Sequence, residues 1–177
     1  NHDVTTFVAV LKWEEREGWR TLLGAFFEAA RVMPGRLRLV VKTSPFHSVK
    51  TPLDEARETF PREWDHGTGN GVTIMDSHLS PVELRELYCR ADAVVQPSFG
   101  EGWGRPHAEA MAMGRPLLAT NWSGTTAFLN EDVGFPVRVE RLAPAPPEAD
   151  GHRWAVPSQT HLTELMLHVA KFPDDAR

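Results

Sequence analysis

Two glutamates, Glu101 and Glu109, stand eight positions apart across the Gly-rich segment GEGWG. That segment runs straight into the Ala/Met-rich HAEAMAMG, and the apolar runs AVVQPS and PLLAT lie on either side of the pair. The pattern predicts strand, tight loop, helix, strand. A loop of this kind points free backbone N–H groups and the positive end of a helix dipole at one spot, which suits a phosphate. A carboxylate before the loop and another in the following helix can hold hydroxyls on either side of that phosphate. Phosphate flanked by hydroxyls is the chemistry of a sugar nucleotide.

Loop chemistry alone leaves a plainer reading open, in which GEGWG is an ordinary turn that uses glycine for its positive φ. The segment is not a Walker A loop, since the Gly-Lys-Ser/Thr ending is missing. It is not a dinucleotide fingerprint either, which would follow the first strand, where the chain reads KWEEREG (Lys12 to Gly18).

The elements that must position this segment alternate along the whole chain. TTFVAVLK (Thr5 to Lys12) reads as a buried strand, followed by Trp19, Leu22, Leu23, Phe26, Phe27 and Ala30 at helical spacing. RLRLVVKT (Arg36 to Thr43) is a second strand, helix is expected near Leu53 to Thr59, and HGTGNG (His66 to Gly71) reads as a loop. GVTIMD (Gly71 to Asp76) is a third strand. Ser80-Pro81-Val82-Glu83 has the form of a capping box and opens a helix that runs to Tyr88 or Arg90. AVVQPS, PLLATN and GFPVRVE (Gly134 to Glu140) supply strands four to six. APAPPEADG (Ala143 to Gly151) reads as a proline-rich surface loop, and QTHLTELMLHVAKF as a last amphipathic helix. Alternating units with near-continuous apolar strands predict an α/β fold: a Rossmann-like parallel sheet with helices on both faces. Ligands in such sheets sit at the carboxyl ends of the strands beside a switch in strand order, where the GEGWG loop falls.

Composition excludes several classes. At 177 residues, 41% apolar and with formal net charge −5, the chain has the composition expected of a soluble globular domain, with no basic tract for nucleic acid. Its apolar runs are strand-length, far short of the roughly 20 residues that span a bilayer. Cys89 is the only cysteine, so no intrachain disulfide forms. This fits a reducing compartment, with the cytoplasmic side favoured, and its place in LYCRAD predicts a small buried core residue. Eight histidines are scattered without metal-ligand spacing; His161 and His168 share a helix face but lack a third ligand. No metal and no cofactor is expected. The chain starts at Asn1 and lacks a charged-then-apolar leader, so a piece of a larger protein is expected.

The string EGWGRPHAEAMAMGRPLLATNWSG, about 24 residues from Glu101 to Gly124, closely resembles the signature of the retaining nucleotide-sugar glycosyltransferases of family 4, the group 1 transferases with the GT-B fold. LKWEEREGWRTLLGAF resembles the strand-loop-helix that opens the C-terminal domain of those enzymes, and SPVELRELYCRADAVVQPS the segment before the signature. The resemblance implies that residues 1–177 are the donor-binding half of such an enzyme, without the N-terminal acceptor domain. It further implies transfer of a hexose from a nucleotide diphosphate sugar, a UDP- or GDP-sugar, to an acceptor hydroxyl of unknown kind, with retention and without a metal. Carried over by position, Glu101 would lie against the transferred sugar and act in catalysis, and Glu109 would accept from the ribose hydroxyls. Backbone around Gly102, Trp103, Gly104 and Arg105 would meet sugar and diphosphate, with the Trp103 ring packing rather than stacking on the base. The base pocket would lie around Met75 to His78.

Two positions depart from the family pattern. Relatives carry an arginine after the first strand and a lysine before the next helix; here those places hold Lys12 and Glu17, just ahead of Gly18. Lys12 can serve as a point charge. Glu17 is expected to turn outward while Arg16 takes its place. The second departure is Gly124-Thr125-Thr126-Ala127, where relatives commonly read G-P-T-E. The alternative that these two positions suggest is a non-catalytic, transferase-like binding or regulatory module with a drifted donor site. An oxidoreductase would need the glycine fingerprint that KWEEREG lacks.

Overall fold

The computed structural model describes residues 4–44, 50–64, 71–145 and 151–172. Six strands, β1 (Thr5–Val10), β2 (Leu37–Lys42), β3 (Val72–Met75), β4 (Ala93–Gln96), β5 (Leu117–Thr120) and β6 (Phe135–Val137), form one parallel sheet in the order β3-β2-β1-β4-β5-β6. The apolar continuity of these strands follows from burial on both sides: all four residues of β4 and of β5 are buried.

Alternate residues of the same strands feed two cores. Phe7, Ala9, Leu39, Val41, Ala93, Val95 and Leu118 join the core beneath α1 (Trp19–Val32) and α6 (Gln159–Lys171). Aromatic contacts of Phe27 with Phe60 and Trp64 bring α2 (Pro52–Thr59) and α3 (Pro61–Trp64) to that side. Val8, Val94, Leu117 and Ala119 join Tyr88, Ala91 and Ala110 beneath α4 (Pro81–Arg90) and α5 (Arg105–Ala112) on the other. Helices therefore cover both faces, as the alternation predicts. The capping box of α4 is complete: Glu83 N–H donates to Ser80 Oγ, and Ser80 N–H to Glu83 Oε2.

Three sequence expectations change. GFPVRVE is not one strand. After Val137 the Arg138 carbonyl accepts from Ser158 N–H at 2.8 Å and its N–H donates to His161 Nδ1 at 3.0 Å, so the chain turns toward α6 and leaves the parallel ladder. Val139–Pro144 (β7) then pairs antiparallel with β8 (Arg153–Pro157), a strand the sequence reading passed over. The expected loop Ala143 to Gly151 thus begins inside β7, and residues 146–150 lie outside the described residues. Of the expected loop His66 to Gly71, only Gly71 lies among the described residues. Cys89 is exposed rather than buried, because α4 turns Tyr88 inward and the next residue lies about 100° around the helix.

The hairpin β7–β8 braces the loop after β4. Ala155 N–H donates to the Phe99 carbonyl at 2.9 Å, and the Phe99 and Trp154 rings meet edge-on at 5.6 Å. From the other side Phe99 N–H donates to the Arg16 carbonyl at 2.7 Å. Gly18, which enters α1 with φ 70°, sits where an added Cβ would lie 2.0 Å from the Pro97 carbonyl oxygen. A side chain there is excluded both by conformation and by space. Gly18→Ala is therefore expected to destabilise the chain by about 3 kcal/mol, read as a lower denaturant midpoint at unchanged slope.

Candidate functional site

At the strand-order switch, where β1 runs between β2 and β4, the carboxyl ends of the three strands open into a cavity of about 710 Å³. Val10 to Lys12, Lys42 to Ser44 and Gln96 form its floor; Arg16, Glu17, Glu101, Trp103, Gly104 and Arg105 form its walls. Gln96 Nε2 donates to the Val10 carbonyl at 2.9 Å, closing the seam between β1 and β4 beneath it.

The local sequence explains how each wall is held. Trp13 and Trp19, both 2% exposed, stack at 4.3 Å, and Trp13 Nε1 donates to Glu55 Oε2 at 2.8 Å. The stack pins the two ends of the WEEREGW turn, and Arg16 and Glu17 between them line the cavity. Across from it, α5 starts at Gly104 with φ 81° and Pro106 in its first turn. The Glu101 N–H donates to Ser123 Oγ at 2.8 Å and its carbonyl accepts from Gly124 N–H at 3.0 Å. Ser123 holds φ 59°, strained for a non-glycine residue, in the 3₁₀ turn Ser123–Ala127 that carries the unusual Thr125-Thr126-Ala127.

The electrostatic centre is Arg16. Its guanidinium donates to the Gly100 carbonyl at 2.8 Å, to Glu101 Oε1 at 3.3 Å, to Glu14 Oε1 at 2.8 Å and to Glu17 Oε1 at 2.6 Å. Arg16 stands in the cavity, as expected. Glu17 does not turn outward: it is 8% exposed and on the cavity wall, where the Arg16 guanidinium holds its Oε1 at 2.6 Å. Burial first, then the charge of Glu101, push its carboxyl up to about 7 against the pull of Arg16. His107, in the first turn of α5, is pushed down to about 4 by burial and adds a neutral ring at neutral pH.

Lys12, Arg16, Glu101, Trp103, Gly104 and Arg105 of the sequence-derived set thus converge on one cavity. Gly102 does not line it; its carbonyl packs against Gly124. Glu109 stands farther along α5, exposed, on a second cavity of about 280 Å³ that shares Leu84 with the first. The Trp103 ring tilts against Phe128 at 5.3 Å and stays 57% exposed. His78 and Leu79 line the main cavity, whereas the Met75 carbonyl is taken by Thr43 N–H at 2.8 Å. Lys42 and Thr43 were missed by the sequence reading, although both stand at the carboxyl end of a strand beside the switch. Among the described residues no cluster of three His, Cys, Asp or Glu side chains is arranged to hold a metal ion, and no helix is long and apolar enough to cross a membrane.

Glu17 supplies a pH test. Its folded-state value lies above the ordinary 4.5, so the stability it contributes is complete below about 4.5 and is lost as pH rises through about 7. Between pH 5.5 and 8 the chain should lose about 2 kcal/mol of unfolding free energy from this group alone. In Glu17→Gln that slope should flatten, as denaturant midpoints at the two pH values would show.

Comparison with known proteins fits this geometry. The family model described as glycosyl transferases group 1 matches residues 2–145. A D-inositol 3-phosphate glycosyltransferase of Paenarthrobacter aurescens is 38% identical over 64 residues, 34% of this chain and 16% of that protein. Among solved structures, the C-terminal domain of a glycosyl transferase group 1 family protein (LpcC) from Francisella tularensis superimposes with TM-score 0.71 at 18% identity, covering 94% of this chain and 75% of that one. A sucrose-phosphate synthase from Thermosynechococcus elongatus gives TM-score 0.73 at 21% identity over 100% of this chain and 39% of its own. HepE of Anabaena, in complex with UDP-glucose, gives 0.73 at 16% over 98% and 41%. The chain thus spans well under half of the latter two structures, and its matched segment under a fifth of the curated relative.

Proposed function

Because the chain belongs to the glycosyl transferases group 1 family, we propose that it is the donor-binding half of a hexosyltransferase, which moves a hexose from a nucleotide diphosphate sugar to an acceptor hydroxyl with retention of configuration. One observation carries the reading: a carboxylate, an arginine and the amino end of a helix converge in a cavity at the switch point of a parallel sheet. The diphosphate would lie against Lys12, Arg16, Arg105 and the amide groups at the start of α5. Fixed donors aimed at the departing phosphate stabilise the charge that develops there as the glycosidic bond breaks. Glu101 would face the transferred sugar and offset positive charge at its anomeric carbon. The departing phosphate would take the acceptor proton, on the same face from which it leaves. Glu109 would accept from the ribose hydroxyls. The complex of HepE with UDP-glucose supports a nucleotide-sugar ligand for this fold. Acceptor recognition would belong to a second domain, without which this chain would bind nucleotide weakly and turn over almost nothing.

The second reading, a transferase-like module that no longer catalyses, is favoured by the wall position of Glu17. At about 4 Å in a partly screened site one pair of unit charges is worth roughly 4 kcal/mol, so an ionised Glu17 opposes the diphosphate strongly. Calorimetric titration with UDP, GDP and ADP separates the two. Under the enzyme reading one nucleotide binds, Glu109→Ala weakens it by about tenfold or more, and Glu17→Lys tightens it. Failure of the parent chain to bind, with recovery in Glu17→Lys, would establish a drifted site and the regulatory reading.

A further inference from the structure

Glu109 has an exposed side chain, yet one of its oxygens is already engaged. The Tyr88 hydroxyl, on the neighbouring helix α4, donates to Glu109 Oε2 at 3.1 Å. Tyr88 is 2% exposed, and its ring is fixed in the lower core with Val8, Val94 and Ala110. A fixed ring means a fixed hydroxyl, and a hydroxyl on so little exposed a residue needs a partner. The two residues line a cavity of about 280 Å³ between α4 and α5, and Leu84 lines both this cavity and the main one.

We infer that Tyr88 is a positioning residue that holds the Glu109 carboxylate in the one orientation able to accept from both vicinal hydroxyls of a nucleotide ribose. The inference rests on the reading of Glu109 as the ribose acceptor. A free surface glutamate samples several rotamers and loses that freedom when it binds. Here the loss is met on folding, by a donor that the core holds still. The stoichiometry fits, since an ionised carboxylate offers about four lone-pair sites. Tyr88 occupies one on Oε2, leaving Oε1 and the far side of Oε2 for two hydroxyls 1,2-related on the sugar. Burial and the Glu109 charge both push the phenol upward from its ordinary range, so it stays a donor throughout the neutral region. The site would then read ribose rather than deoxyribose through a residue that never touches the ligand.

The test is calorimetric titration of the 177-residue chain with UDP and with 2′,3′-dideoxy-UDP, for the parent, Tyr88→Phe and Glu109→Gln, alongside thermal midpoints. Tyr88→Phe is expected to weaken UDP by about 3- to 10-fold, the worth of one hydrogen bond. Dideoxy-UDP should bind it as it binds the parent, and the midpoint should stay within about 3 °C. If Tyr88→Phe keeps the parent's preference for UDP, or weakens both nucleotides equally with a lowered midpoint, Tyr88 is structural and the inference is overturned. Glu109→Gln keeps the two ideas apart. Loss of UDP affinity there without loss in Tyr88→Phe sinks the positioning role alone. Unchanged UDP affinity in Glu109→Gln, or a parent that binds none of UDP, GDP and ADP, removes the ribose reading and the inference with it.

Discussion

Everything at the carboxyl end of the sheet depends on how the loop after β1 is tied to the loop after β4. The tie is Arg16, used twice. Its carbonyl accepts from Phe99 N–H, and its guanidinium donates to the Gly100 carbonyl and to Glu101. Gly18 permits the approach, because only a residue without a Cβ can stand against the Pro97 carbonyl. The hairpin β7–β8 closes the clamp from the far side through Phe99 and Trp154. A cavity whose walls come from two loops keeps its shape only if those loops cannot slide past one another, and the contacts of Arg16, Gly18 and the hairpin oppose that here.

The clamp is held by charge that has been only partly neutralised. Three carboxylates, Glu14, Glu17 and Glu101, surround one guanidinium, and Glu17 is nearly withdrawn from water. Buried ion pairs return little net stability, because desolvation offsets most of the attraction. Their effect here is geometric: Arg16 cannot swing away while three acids hold it. The same arrangement would set a competition under the proposed function, since an incoming diphosphate would have to take the guanidinium from carboxylates that already have it. A site of this kind binds an anion by exchanging partners.

Much of this was legible in the sequence, for physical reasons that differ by element. The capping box at Ser80 was readable because it is local, and the two cores because strand burial writes itself as apolar runs. The place of the GEGWG loop followed from the topological rule for parallel sheets, once the strands were placed, and that of Arg16 from the family resemblance. Three features were not legible. The break at Arg138 depends on hydrogen bonds to Ser158 and His161, some 20 residues away and on another element. Glu17 faces inward to an Arg16 that is itself anchored on the distant Gly100 and Glu101, which no local pattern records. Tyr88 meets Glu109 across two helices, and neither residue's neighbours in the chain announce the other.

The order in which the sheet is threaded has a kinetic consequence. β1 is central, but its partners are unequal in sequence distance: β2 follows after one helix, whereas the Gln96–Val10 contact spans 86 residues. As a growing chain leaves the ribosome, β1 can pair with β2 while its opposite edge, next to Phe7 and Val8, stays open until β4 has been made. Contacts of such separation form slowly, and an apolar edge left waiting is a template for pairing with the wrong chain. The cavity therefore cannot form until β4 has joined β1, and until then the strand that becomes its floor carries an unpaired edge.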